Sequence, residues 1–475
     1  MLTFLDRARD HNCQGFTRRE FMRVGSLGLL GGSLGLSEML AARAGAAGYG
    51  SGGRPVLNKS VVLLFLQGGP SHIELFDPKM SAPAEVRSSS GEIQTKLPGV
   101  TFGSHFPKLA AMADKFTIVR NYGSRNADHT YLAVTSAGNP LKASMSAVYT
   151  RVAGALNPRT GVPSNVLVVP EAVQPGLKLG NNFETGALPT LTAAGDLGPA
   201  YGAFDPSGNA DFKKVMQMQI ETGRFDDRRG LLAQLDALRR TMDGEGTLYS
   251  YDKFQQQAFD LVTRGVVQAF DVSKEDPKTV EKYDTSKLFK LEEATKWFDM
   301  KRSSNLLGKQ MLLARRLCEA GAGFVTVSDC GWDMHSNSNS PKNLGGMSML
   351  GPQVDHAVAA FLQDVEERGL SDKILLVVTG EMGRTPRRNR DGGRDHYGTL
   401  TPLLLAGGGL KMGQVIGESD KNAAAPAFDP QNPTNLLATV MKTVLDVGEI
   451  RTMPNLGKTA DIVTGHEPIP GLFNS

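Results

Sequence analysis

Six short apolar runs, each closed by glycine or by polar residues, constrain this chain more than any other feature. They fall at 60–66, 116–119, 166–169, 324–327, 374–378 and 402–405. Each is too short for a helix and too continuous for a strand with one wet face, so each predicts a strand buried on both faces. The first stops at Gln67-Gly68-Gly69-Pro70, a turn. Helical periodicity separates the runs, as at 354–367, where Val358, Phe361, Leu362 and Val365 share one side. Strands alternating with helices predict an α/β fold: a mostly parallel sheet with helices on both faces.

Between about 205 and 320 the texture changes. Long charged stretches at 226–241, 251–270 and 288–319 predict a helical insertion, closed by Gly321-Ala322-Gly323. The polar interval 271–285 reads as a surface loop, and no repeat of 20–50 residues marks a solenoid. Residues 1–46 read as a cleavable export signal of the twin-arginine type. Arg18 and Arg19 precede Phe21, an apolar run spans 24–36, and Ala42-Arg43-Ala44 offers a small-residue cleavage site. Gly25, Gly28, Gly31, Gly32 and Gly35 argue against a soluble helix there, at about 1 kcal/mol each. The run is also shorter than the ~20 residues that span a bilayer. The expectation is an exported chain, periplasmic or extracellular, with no membrane span once mature. A linker at 47–58 leads into one α/β domain over 59–470.

Charge and cysteine content remove other classes. Lys plus Arg is 52 and Asp plus Glu 49; setting aside six basic and four acidic groups in the first 44 residues leaves a body at +1. A balance that even lacks the basic surface by which nucleic acid is held. Cys13, Cys318 and Cys330 are too few for a disulfide framework or a thiolate zinc site.

Polar residues at the ends of the apolar runs carry the chemistry. In open α/β sheets ligands bind beyond the carboxyl ends of the strands. After 60–66 come His72 and Glu74. After 116–119 come Arg120, Arg125, Asp128, His129 and Thr130. After 324–327 come Asp329, Asp333 and His335. After 374–378 come Glu381 and Arg384, and Arg394, Asp395 and His396 precede the last run. Four of the eight histidines lie in these loops beside carboxylates. Neutral imidazole with carboxylate is a ligand set for zinc, manganese or iron. His129, Asp333, His335 and His396 are the first-choice ligands, with Glu381, Asp395, His72 and Glu74 next. His11, His105, His356 and His466 read as structural or solvated. Arg384, directly after the Glu381 turn, is the guanidinium best placed to hold an anion.

Three stretches resemble the alkaline phosphatase/sulfatase superfamily. Phe106-Pro107-Lys108 onward to Arg120 and His129 is similar to the segment that carries its nucleophile. Gln353 to Met382 resembles its helix, strand and metal turn, and His396 to Gly409 its last metal histidine and following strand. More closely, Gly-Gly-Pro-Ser-His72, Trp-Asp333-Met-His335, Glu381-Met-Gly-Arg-Thr-Pro386 and Gly-Arg-Asp-His396 resemble an exported bacterial branch, domain-of-unknown-function family 1501, over nearly the whole chain after the signal. The resemblance implies an alkaline-phosphatase-like fold. It departs from the superfamily where Gln67 or Gly68 replaces an aspartate, where Glu381-Met382 replaces an Asp-His pair, and where no serine or modified cysteine nucleophile is present. Thr130 is the one covalent candidate nearby.

Two functions follow as expectations. The first is an exported hydrolase that uses a divalent metal, zinc or manganese, one or two ions, to cleave a phosphate or sulfate ester or a related anionic bond in a small molecule or polymer. The second is a binding or structural subunit that keeps the fold and works with an exported partner protein. The first carries a geometric requirement. His129, Asp333, His335, Glu381 and His396 should meet in one cleft, within about 4.5 Å for a single ion and somewhat wider for two. Asp128 or Asp395 should fix the histidine rings, and Arg384 should point into the cleft. The 205–320 region should lie away from the cleft or form its lid.

Overall fold

The computed structural model describes residues 55–207 and 266–473. The export-signal expectation and most of the helical insertion lie outside these residues. Seven strands form the central sheet: β1 (Ser60–Leu66), β2 (Thr117–Val119), β3 (Asn165–Val168), β4 (Phe324–Asp329), β5 (Ile374–Thr379), β6 (Leu404–Gly407) and β7 (Gln414–Ile416). Their spatial order is β7-β2-β6-β5-β1-β4-β3. Each of the six apolar runs is a strand. β7 adds a seventh, three residues long, that the apolar pattern does not mark.

The side chains of β1 show why these runs are apolar throughout. Val62, Leu64 and Leu66 enter the core on one face, and Val61, Leu63 and Phe65 enter the core on the other. Each is at most 4 % exposed, so every position is worth roughly 1.5–3 kcal/mol of transfer free energy. The first face is covered by helices α2 (Leu307–Glu319) and α3 (Met347–Glu367), the second by α1 (Met145–Ala153) and α4 (Pro433–Val444). Side-chain caps start two of these helices. The Ser144 hydroxyl accepts the Ala147 N–H before α1, and Asn432 forms a capping box before α4.

The helix-friendly stretch 288–319 holds several helical pieces: Leu291–Thr295 and a single turn at Phe298–Met300 precede α2, and Leu307, Met311, Leu312 and Leu317 of α2 pack into the first core. The end of the expected insertion is thus part of the α/β layer. The interval 271–285 is not the plain surface loop expected. Asp276 caps a short helix, Pro277–Lys282, and Glu275 pairs with Arg315, Arg316 and Arg368.

One strand direction decides where the chemistry sits. β1 is parallel to β4 and β5, β3 to β4 and β7 to β2, but β6 is antiparallel to both β5 and β2. After β5 the chain stays at the carboxyl edge of the sheet. There Gly383-Arg384 pairs with His396-Tyr397 in a two-residue antiparallel ladder, and the chain then enters β6 from that same edge. Asp395 and His396 therefore lie before their strand, while the other candidate residues lie after theirs, and all share one edge. No helix among the described residues is long and apolar enough to cross a membrane.

Candidate metal centre

Asp333 is the centre of the site. It follows β4 and is 6 % exposed. Its Oδ1 lies 3.0 Å from His335 Nε2 and 3.2 Å from His396 Nε2, and accepts from Arg384 Nη2 at 2.5 Å. Its Oδ2 lies 3.4 Å from His129 Nε2. Donor atoms of His129, Asp333 and His396 all lie within 4.8 Å of one another. That spacing is slightly more open than a single tetrahedral ion requires. The three rings crowd together, with His129 and His396 centroids 4.5 Å apart and His335 and His396 4.7 Å apart.

Each ring is held from behind. His129 Nδ1 lies 3.0 Å from Glu381 Oε1, which also accepts the Gly68 N–H at 2.8 Å. His335 Nδ1 lies 2.9 Å from Asp395 Oδ1, and His396 Nδ1 lies 3.0 Å from the Ala127 carbonyl. These contacts leave the Nε2 atoms facing inward, the arrangement by which outer acceptors orient metal-binding histidines. The expected acceptor Asp395 is in this role, whereas Asp128 is exposed and the backbone of Ala127 takes its place. Glu381 is fully buried, and its Oε2 has no hydrogen-bond partner.

The electrostatics follow from this crowding. Burial opposes the charge on Asp333, but hydrogen bonds from His129, His335 and His396 outweigh it and hold the carboxyl far below the usual range. Burial likewise opposes protonation of His129, yet Asp333 and Glu381 raise it to about 9. In the metal-free chain, protonated histidine thus balances the buried carboxylates. A divalent cation provides the same compensation. The donor types, the inward Nε2 atoms and the orphaned Glu381 oxygen all fit such an ion.

Other expected members are elsewhere. Glu74 is engaged by Arg394 Nη2 at 2.8 Å and by Ser88 Oγ at 2.9 Å, in an ion pair with both side chains fully buried. His72 is buried with its Nε2 3.1 Å from the Ala423 carbonyl. His72 Nδ1 is buried without a partner, and neither residue belongs to the group of converging donors formed by His129, Asp333 and His396. Arg384 reaches the site but is 1 % exposed, and most of its donors are consumed by the Gly68, Gly69, Trp332 and Arg394 carbonyls as well as by Asp333. It clamps the loops to Asp333, and its remaining Nη1 N–H faces His335 Nε2 at 3.3 Å. Thr130 is exposed and directly precedes the short helix Tyr131–Thr135, without a side-chain cap hydrogen bond.

A family model described as a protein of unknown function, DUF1501, matches residues 58–473. The chain belongs to that family. No curated protein matches it. Among solved structures, this DUF1501 chain has a weak likeness to the PsFucS1 sulfatase from Pseudoalteromonas sp., at TM-score 0.34 and 12 % identity over 86 % of this chain and 71 % of that one. It has a similar likeness to the phosphonate monoester hydrolase SpPMH from Silicibacter pomeroyi, at 0.29 and 12 % over 87 % and 78 %. A third is the lipoteichoic acid synthase LtaP from Listeria monocytogenes, at 0.28 and 10 % over 81 % and 72 %. Likeness at that level carries no chemistry, which rests on the residues of this chain.

Within this DUF1501 fold, two further residues border the centre that no strand-end pattern reveals. Phe183 stacks on His129 with centroids 3.9 Å apart, and Glu184 beside it is fully buried, accepting the Gly331 N–H at 2.8 Å. Burial, with Glu381 nearby, raises the Glu184 carboxyl to about 8. Both come from a short helix, Phe183–Ala187, in an irregular stretch after β3. No apolar run precedes it, so the sequence gives no signal for either residue.

The structure also explains Gly68, one of the two residues that the sequence resemblance sets against an aspartate. Gly68 has φ +111°, and a Cβ there would lie 2.4 Å from the Asp333 backbone nitrogen. With a side chain at 68, the β1 and β4 loops could not approach this closely.

Proposed function

We propose that this protein is an exported metal-dependent hydrolase of phosphate or sulfate esters or of a related anionic bond, with His129, Asp333 and His396 as the cation ligands. The observation that carries this reading is the convergence of those three donor atoms to within 4.8 Å. His335 at 3.0 Å from Asp333 and Glu381 behind His129 complete the surroundings. A bound divalent cation supplies Lewis acidity toward an ester oxygen. The chain's own residues orient it: Glu381, Asp395 and the Ala127 carbonyl fix the rings, and Arg384 holds Asp333 in place. Export through a twin-arginine signal at 1–46 belongs to the same proposal and suits a protein that folds around a metal before crossing the membrane. The test is elemental analysis of the exported, purified chain, followed by a screen of phosphate and sulfate esters with zinc and manganese. Stoichiometric metal, with turnover abolished by His396→Ala, is the expected result. A metal-free protein that takes up neither ion overturns the proposal.

One observation favours a second reading. Arg384 is 1 % exposed and most of its donors are spent on backbone carbonyls and Asp333, so a non-catalytic subunit that keeps a metal for structural reasons is consistent with the same geometry. Bound metal, no turnover in the screen and a stoichiometric exported partner would favour it.

A further inference from the structure

Asp299 comes from the interval that the sequence marks as a helical insertion, and no strand end points to it. The structure brings it to the edge of the cleft. It lies in the turn Phe298–Met300, between two loops that build the centre. On one side its carbonyl is reached by Asn182 Nδ2 at 3.4 Å, next to the Phe183 ring that covers His129. On the other its N–H donates to the Asn339 carbonyl at 3.0 Å, in the loop that follows His335. The Ser303 hydroxyl, four residues on, donates to the Cys330 carbonyl at 3.1 Å, which ties this segment to the loop carrying Asp333.

Asp299 is 4 % exposed, and its Oδ2 is buried without a hydrogen-bond partner. Burial and then the charge of Asp333 raise its carboxyl to about 6, while His335, Arg384 and His129 lower it. A buried carboxylate with an unpartnered oxygen is costly, and a nearby divalent cation would offset that cost.

We propose that Asp299 is a further acidic member of the cation site, a carboxylate that divalent metal draws toward the His129, Asp333 and His396 group. The inference rests on the metal reading above. It is tested by zinc titration of the chelator-treated full chain by calorimetry, for the wild type, Asp299→Asn and Asp299→Ser, with Asp333→Asn as reference and metal-free melting recorded for each. Both Asp299 variants are expected to bind zinc at least about tenfold more weakly, while melting at or above the wild-type temperature without metal. Wild-type affinity in both variants overturns the inference and leaves the metal reading standing. Earlier melting of the metal-free variants also overturns it, since that assigns Asp299 a structural role. A wild type that binds no zinc removes the metal reading and the inference together.

Discussion

Glu381 Oε1 lies 3.0 Å from His129 Nδ1 and accepts the Gly68 N–H from the same oxygen at 2.8 Å. One fully buried carboxylate thereby ties the loops after β1, β2 and β5 together and sets which nitrogen of His129 faces Asp333. Its second oxygen is unpartnered, so the group is held by one side only. The sequence resemblance places Glu381 where the superfamily has a metal ligand. The contacts of the metal-free chain place it behind one.

Glu381→Gln should therefore weaken metal binding without removing it. The amide keeps one acceptor but offers a donor where the ring or the Gly68 N–H needs an acceptor. A loss of about 10- to 100-fold in zinc affinity is expected, read by competition with a chromogenic chelator. Unchanged affinity would show that the ring keeps its orientation without the carboxylate.

Asp333→Asn should be far more damaging to metal binding, and it should also destabilise the fold, because Arg384 is left buried without its carboxylate. The change removes the negative charge that His129, His335, His396 and Arg384 share. Elemental analysis should find no retained metal. Metal-free stability should change less than metal-loaded stability, because the loaded form loses the whole linkage contribution of the ion.

Glu74→Gln tests the corrected role of that residue. Glu74 and Arg394 are both fully buried, and removing one charge leaves the other uncompensated. A destabilisation of about 3–5 kcal/mol is expected from denaturant unfolding. Zinc stoichiometry of the folded fraction should stay at the wild-type value, and loss of metal with stability preserved would return Glu74 to the ligand set.

His72 should give the protein an acid-sensitive term. Burial, only partly offset by the Ala423 carbonyl, pushes its pKa down to about 4. The unfolded imidazole titrates near 6.5. Between these values the unfolded chain binds a proton that the folded chain refuses, so stability is full above about pH 6.5 and falls as pH drops toward 4. The size is on the order of 3 kcal/mol. Denaturant midpoints of wild type and His72→Gln, compared across that range, should diverge on acidification, with the variant showing the flatter curve. Parallel curves would assign the acid sensitivity to other groups.

The strands were legible because burial on both faces leaves no polar position. Val61 to Leu66 is apolar at every step for that reason. The site was legible in outline because polar residues immediately after such runs must collect at the sheet edge, which is how His129, Asp333, His335 and Glu381 could be named together. Arg394 and Glu74 were visible as charges, but only packing shows that they satisfy each other 320 positions apart. Phe183 and Asp299 lie in irregular segments, where no periodicity records what a side chain touches.

By itself, then, the sequence determined the sheet, its two apolar faces and the set of histidines and acids at one edge, since hydrophobic periodicity is local and survives in one dimension. Tertiary structure decided the direction of β6, and with it that His396 joins the others from in front of its strand. It also decided which carboxylate faces a cation and which is spent on an arginine or a backbone N–H. Those choices depend on distances between loops far apart in the chain, set by strand order and by close approaches such as Gly68 against Asp333, and no local pattern carries them.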